Sequence, residues 1–262
     1  MERVKLLINT SKPFAQETAV AAARELSRLG FTVSDEAPEL IISVGGDGTV
    51  LRAAAEAAPL GIPVLGINCG TLGYLNDIEP EDIGLLSRLK TGEYRTEGLM
   101  MLDAEILRAD GVSERHTVLN EALVSRGEVS KIVDITLSCG VAPVSSYSAD
   151  GLICATPTGS TAYSLSAGGP LLDPCMEAII ATPVCPHRLA AARSIVFPAD
   201  SVLTLTARAH KGGTTCLTLD SRECVRIYPD DAVRIRRSAE KLALIRIKPG
   251  CFYSVVHKKF NL

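Results

Sequence analysis

The stretch "SVGGDGTVLRA", residues 43–53, combines Gly45, Gly46, Asp47, Gly48 and Thr49 at the junction of an apolar run and a helical pattern. Beyond the carboxyl end of a parallel strand, ligands gather and helix N–H groups face anions. Gly45 and Gly46 permit a tight turn and close backbone approach to phosphate. There is no Walker-type lysine, and Asp47 puts a negative charge at the centre of the loop. An aspartate there can take the proton from a hydroxyl that attacks phosphorus. It can also meet Mg²⁺ travelling with a nucleotide. The plain alternative is a strand–turn–helix corner in which Asp47 is only an N-cap.

A second stretch, "ADGLICATPTGSTAYSLSAGGP" at 149–170, packs small hydroxyl residues, glycine, one proline and one tyrosine between Thr156 and Ser166. Such residues let a backbone lie against a ligand and offer many hydrogen-bond partners, and Tyr163 could stack on a flat ring. "LNEA" sets Asn120 beside Glu121 in an apolar setting. Neighbours on a strand point to opposite faces, so both serve one ligand only at a strand end or bulge. An Asn amide can pair with a base edge and a Glu carboxylate can accept from ribose hydroxyls. "NCGTLGYL", 68–75, either supports the phosphate loop or simply turns the chain. His187, in "CPHRL", reads as structural. No GxSxG is present, and Ser160 in "TGSTA" does not make a hydrolase elbow.

The elements that must position these residues follow a two-part pattern. "RVKLLIN", "PFAQETAVAAARELSRLG" closing on Gly30, "FTVS", "ELIISV", "DGTVLRAAAEAA" and "IPVLGIN" alternate strand and helix, which predicts an α/β domain with a doubly wound parallel sheet. After about residue 96 the pattern becomes short alternating or apolar runs broken by Gly, Asp and Pro. These include "GLMMLDAEILRADG", "RHTVLNEALVSRG", "KIVDITLSCG" and "APVSSYSADGLICATP". "TAYSLSAGGPLL" interrupts them as a short helix, and strands resume from "SIVFPADSVLTLTAR" to "KLALIRIK". The back part is therefore a mostly antiparallel all-β domain. The expected division is 1–97 and 98–247.

The chain has 262 residues, enough for one large or two modest domains, and a 47% hydrophobic share supports a buried core. Trp is absent and aromatics make up 4%, so the core is aliphatic and base stacking on single-stranded nucleic acid is disfavoured. Net charge is -3 without a basic run, which argues against a nucleic-acid or anionic-membrane partner. "MERVKLLINT" lacks a signal-peptide core and no apolar segment reaches a bilayer's span; a soluble, cytoplasmic protein is expected. None of the eight cysteines forms a CxxC pair, so a zinc site is not expected and the thiols read as buried and reduced.

Together these residues resemble the NAD kinase family along nearly the whole chain. The resemblance rests on "NTSKP", "GGDGTVLRA", "GINCGTLGYL", "LNEALV", "DGLICATPTGSTAYSLSAGGP", "PVCPHRLA" and the closing "FYSVVHKKF". "GGDGT" alone is shared in type with diacylglycerol kinases, sphingosine kinases and phosphofructokinases; "TPTGSTAYSLSAGGP", after "NE", is far more specific. The resemblance implies an N-terminal α/β and a C-terminal all-β domain with substrate between them. It also implies that the last segment, 248–262, packs back on the first domain, and that the assembly is a homodimer or homotetramer. It implies transfer of phosphate from ATP with Mg²⁺ or another divalent cation, or in some members from polyphosphate, to the adenosine 2′-hydroxyl of NAD.

Asp47 would then be the general base and face a hydroxyl, with Gly45, Gly46, Gly48 and Thr49 forming the phosphate loop. Asn120 and Glu121 match the adenosine contacts, Asp150 a residue near the nicotinamide end, and Thr161, Ala162, Tyr163 and Ser166 the "TAYxxS" contacts. Arg52 matches a position near the dinucleotide; Lys131 and Ser148 are further matches. Arg222 stands where members often carry Gln, so that contact differs. The competing readings are a lipid kinase of the diacylglycerol type, supported only by "GGDGT", and a non-catalytic dinucleotide sensor.

Overall fold

The computed structural model describes residues 1–70, 73–127, 132–188, 193–210, 213–250 and 252–260. Two compact units are present: Met1–Leu99 with Glu240–Leu262, and Met100–Ala239.

In the first unit, β1 (Arg3–Ile8), β2 (Thr32–Val33), β3 (Leu40–Gly45) and β4 (Val64–Asn68) form a parallel sheet in the order β2-β1-β3-β4. β3 and β4 are buried along their whole length, as continuous apolar runs covered on both faces must be. Helix α1 (Pro13–Arg28) starts with Pro at its first position and buries Ala15, Thr18, Ala19, Ala22 and Leu26, a single stripe at helical spacing. It ends on Gly30, at φ +79°, with the Gly30 N–H on the Ser27 carbonyl and the Phe31 N–H on that of Leu26. That is the paired closure only a left-handed residue allows. Helix α2 (Asp47–Ala57) follows β3 directly, and the 3-10 turn Pro80–Ser87 and α3 (Arg88–Thr91) follow β4. Strand order reverses between β1 and β3, and the Asn9 N–H reaches the Val44 carbonyl there. Residues 45–49 stand at that switch point.

In the second unit, β5 (Arg95–Leu107), β6 (Ser113–Val118), β7 (Glu121–Arg126), β8 (Val133–Cys139), β9 (Ala142–Ala149) and β10 (Gly151–Ala155) precede the short α4 (Tyr163–Ser166). β11 (Ala178–Val184), β12 (Ile195–Pro198), β13 (Leu203–Ala209), β14 (Thr215–Leu219), β15 (Glu223–Ile227) and β16 (Ala232–Arg246) complete it. One antiparallel sheet has the order β12-β11-β10-β7-β14-β15, and β16, β13, β8 and β9 pair antiparallel in another. Alternation along β8 puts Val133, Ile135 and Leu137 into a core shared with Leu152, Cys154, Leu217 and Ile235. The chain crosses between units within β5 and within β16, then ends in α5 (Phe252–Phe260).

The α/β front and antiparallel back are as expected. Three details differ. "RHTVLNEALVSRG" is not one strand: it breaks at Leu119 and Asn120, whose N–H groups go to Asp220 instead of a ladder. "APVSSYSADGLICATP" breaks at Asp150 into β9 and β10. β11, "AIIATPV", was not expected. Of the described cysteines, only Cys69 and Cys154 are buried; Cys175, Cys185 and Cys224 are exposed, and all of those described are free thiols. Among the described residues no helix is long and apolar enough to cross a membrane.

Candidate active site

In the first unit Gly46 is the N-cap of α2, with no side-chain cap bond, and Asp47 is the first helical residue. Asp47 does not cap its own helix. Its carboxylate turns to the loop after β4 instead. Oδ2 accepts the Tyr74 N–H at 2.8 Å, and Oδ1 accepts the Leu75 N–H at 3.2 Å and the Asn76 side-chain amide at 2.9 Å. Among the described residues three of the four acceptor positions of the carboxylate are used, and one on Oδ2 is left for a further donor. Gly73 makes this approach possible, since a Cβ there would lie 2.1 Å from Asp47 Oδ1. Burial and then the Asp47 charge raise the Tyr74 phenol above its ordinary pKa. From α5, the Phe252 ring packs 5.9 Å from that of Tyr74, and the Lys259 ammonium lies 3.8 Å from the Tyr74 ring centre.

The neighbours of Asp47 are less uniform. Gly45 is buried against Thr49, where a Cβ would come within 2.2 Å of the hydroxyl; Thr49 is itself buried. Gly48 is exposed with open space around it. Arg52 is exposed and donates Nη2 to the Ile8 carbonyl at 2.9 Å, at the end of β1.

In the second unit Asn120 and Glu121 meet the condition set by strand geometry, because β7 begins at Glu121 and Asn120 lies at its end. Asp220, 2% exposed, holds the turn. Its Oδ1 accepts the N–H groups of Asn120 at 2.8 Å and Glu121 at 3.1 Å, and Oδ2 that of Leu119 at 3.0 Å. Glu121 is 4% exposed, and among the described residues its Oε2 has no hydrogen-bond partner. Burial, then the Asp220 charge, push the Glu121 carboxyl up to about 8. Asp220 is also raised, burial outweighing its three N–H donors and Arg222.

The polar stretch 156–166 sits on this turn. The Thr156 N–H bonds the Asn120 carbonyl at 2.9 Å and its hydroxyl donates to the Leu119 carbonyl at 2.6 Å. At Gly159 a Cβ would lie 2.1 Å from the Asn120 oxygen. Thr161 closes a 3-10 turn through its hydroxyl to the Thr158 carbonyl, Ala162 links that turn to α4, and Tyr163 and Ser166 are exposed. Arg222 approaches Asp220 at 3.5 Å with its side chain 30% exposed.

Other expected residues lie elsewhere in this unit. Asp150 pairs with Arg126 at 2.8 Å, at the opposite end of β7 from Glu121, roughly 15 Å along the strand. The Ser148 hydroxyl donates to Asp134 at 2.5 Å, and His210 Nε2 meets the other oxygen of Asp134 at 2.6 Å. Ser148 lines a cavity of about 200 Å³ with Asp134, Tyr147 and Arg188. The His187 N–H bonds the Ser148 carbonyl. Lys131 lies outside the described residues.

Two family models match this chain. The ATP-NAD kinase N-terminal domain covers residues 7–94 and the ATP-NAD kinase C-terminal domain residues 119–247. The NAD kinase of Symbiobacterium thermophilum is 37% identical over 283 aligned positions, spanning 100% of this chain and 99% of that protein. That of Moorella thermoacetica is 37% identical, spanning 100% and 90%. The chain belongs to the NAD kinase family. Among solved structures, an Archaeoglobus fulgidus NAD kinase in complex with ATP matches with a TM-score of 0.76 and 25% identity, over 99% of this chain and 98% of that one. Yeast NADH kinase complexed with NADH shares the fold, with a TM-score of 0.88 at 20% identity, over 100% and 88%. The lipid-kinase alternative is not favoured, since the match extends well beyond "GGDGT".

Sequence reasoning missed Asn76 and Asp220. Asn76 falls one residue past the glycine-rich stretch that had been singled out. Asp220 ends the apolar run "TCLTLD", where a carboxylate entering a core is itself a signal, because a buried charge must find partners.

Proposed function

We infer that this protein transfers the γ-phosphoryl group of ATP to the 2′-hydroxyl of the adenosine ribose of NAD, giving NADP and ADP. Asp47 takes the hydroxyl proton as the oxygen forms its bond to the γ-phosphorus and the bond to the bridging oxygen of ADP breaks. The observation that carries this reading is the Asp47 carboxylate at the strand-order switch, held by three donors, with an acceptor position on Oδ2 left over among the described residues. The open space at Gly46 and Gly48 leaves the start of α2 accessible to phosphate.

Asn120 and Glu121 take the adenosine part, with Thr161, Ala162, Tyr163 and Ser166 beside them. Asp150, at the far end of β7, suits the nicotinamide half of an extended dinucleotide. A Glu121 carboxyl held protonated by burial can donate to a ribose oxygen as well as accept. Among the described residues no three His, Cys, Asp or Glu side chains gather as a metal site. The divalent cation, Mg²⁺ or another, is read as part of the ATP substrate. A homodimer or homotetramer in the cytoplasm, without nucleic-acid or membrane partners, belongs to the same proposal.

The experiment mixes the purified protein with NAD, ATP and Mg²⁺ and detects NADP with an NADP-specific dehydrogenase. NADP formation is expected. NAD binding by calorimetry without NADP formation would instead indicate a sensor.

A further inference from the structure

Arg246, the last residue of β16, spends its donors on one short loop. Its side chain is 13% exposed. Nη2 donates to the Tyr74 carbonyl at 3.1 Å, and Nη1 to those of Leu75 at 3.3 Å and Asn76 at 3.1 Å. Nε donates to Glu97 at 2.9 Å. The neighbouring Asp77 is tied to the same strand end, its Oδ2 accepting the Ile247 and Lys248 N–H groups at 2.6 and 3.0 Å. Three carbonyls in sequence require a planar, multi-donor fork; an ammonium cannot reproduce it.

The same residues supply the donors to Asp47. The Tyr74 carbonyl and the Leu75 N–H belong to one peptide unit, which is planar and trans. The guanidinium holds one end of that unit, and Asp47 Oδ1 holds the other. Asn76 is gripped likewise, by its carbonyl from Arg246 and by its side-chain amide on Asp47. Hydrogen bonds joined in this way polarise and orient one another.

We propose that Arg246 is a positioning residue for Asp47, fixing the loop 74–76 so that its N–H groups set the direction of the carboxylate, with Glu97 holding the guanidinium in place. This rests on the reading of Asp47 as the base. The test measures kcat and KM for Arg246→Met, Arg246→Lys and Glu97→Gln, and for Arg246→Met in an Asp47→Asn background, with melting followed in each. Arg246→Met lowers kcat by about 10²-fold, the cost of a small misplacement at the reacting centre, while KM for NAD stays within about threefold. Arg246→Lys falls between it and the parent, and Glu97→Gln costs about tenfold in kcat. In the Asp47→Asn background Arg246→Met costs less than about threefold, because residues that act as a unit are non-additive.

An unchanged kcat, or the full loss repeated in the Asp47→Asn background, overturns the proposal. If Arg246→Met does not fold at assay temperature, Arg246→Lys and Glu97→Gln decide it by the same two criteria. Near-parental turnover in Asp47→Asn removes the base reading itself. A crippled Asp47→Asn with an additive Arg246→Met removes only the role given to Arg246.

Discussion

Asp47 in the first unit and Asp220 in the second each accept three hydrogen bonds from N–H donors. At Asp47 the donors come from Tyr74, Leu75 and Asn76, and the carboxylate they hold is half-buried, with an acceptor position unused among the described residues. At Asp220 the donors are Leu119, Asn120 and Glu121, the Arg222 guanidinium stands 3.5 Å from Oδ2, and the carboxylate is 2% exposed. One device therefore serves two ends. In the first unit the loop is scaffold and the aspartate is the group we propose to react. In the second the aspartate is scaffold, and it presents Asn120 and Glu121 at the strand end. A carboxylate with all its partners inside the protein organises its surroundings. One with an open acceptor position can also act on a ligand.

The largest effect expected from breaking this comparison is at Asp220. Asp220 sits at φ +47°, a conformation Asn tolerates, so Asp220→Asn tests the side chain without straining the backbone. One amide must then face an N–H group in the core, which costs about 3 kcal/mol for the lost charged acceptor and the unmet donor. Melting temperature drops and KM for NAD rises, both readable by calorimetry and steady-state kinetics, while kcat at saturation moves far less. A fall in kcat with unchanged KM would make Asp220 resemble Asp47 and erase the distinction.

A smaller effect sharpens it. Glu121 has a folded-state pKa of about 8, above its ordinary 4.5. The native state thus binds more protons than the unfolded state between those values. The contribution is fully present below about pH 4.5 and is lost as pH rises through 8. Melting temperature should decline from pH 6 to 9, and Glu121→Gln, which stays neutral, should flatten that decline. Parallel slopes in the two proteins would mean that Glu121 is ionised in the fold.

The chemistry-bearing segments were more legible than their supports. "ELIISVGGDGT" reads as strand, turn and helix because an apolar run stops at glycine and a helical pattern starts, and β3 and α2 follow that reading within a residue. The strand end at Asn120 could be posed as a condition but not placed, because the break is made by Asp220, distant in sequence. β11 carries no alternation, being buried on both faces, so nothing in "AIIATPV" separated it from its surroundings. Asn76, Glu97 and Arg246 come together from three segments, and such contacts leave no spacing in the sequence to read.

The central claim is that Asp47 acts on the proton and is not merely a loop anchor. Single-turnover formation of NADP by Asp47→Asn at saturating NAD and ATP tests it most directly, with NAD affinity measured on the same sample. Asn keeps the size and one acceptor oxygen but takes no proton. The expected result is a rate lower by about 10² to 10⁴-fold with NAD affinity nearly unchanged. A rate close to that of the parent would contradict it.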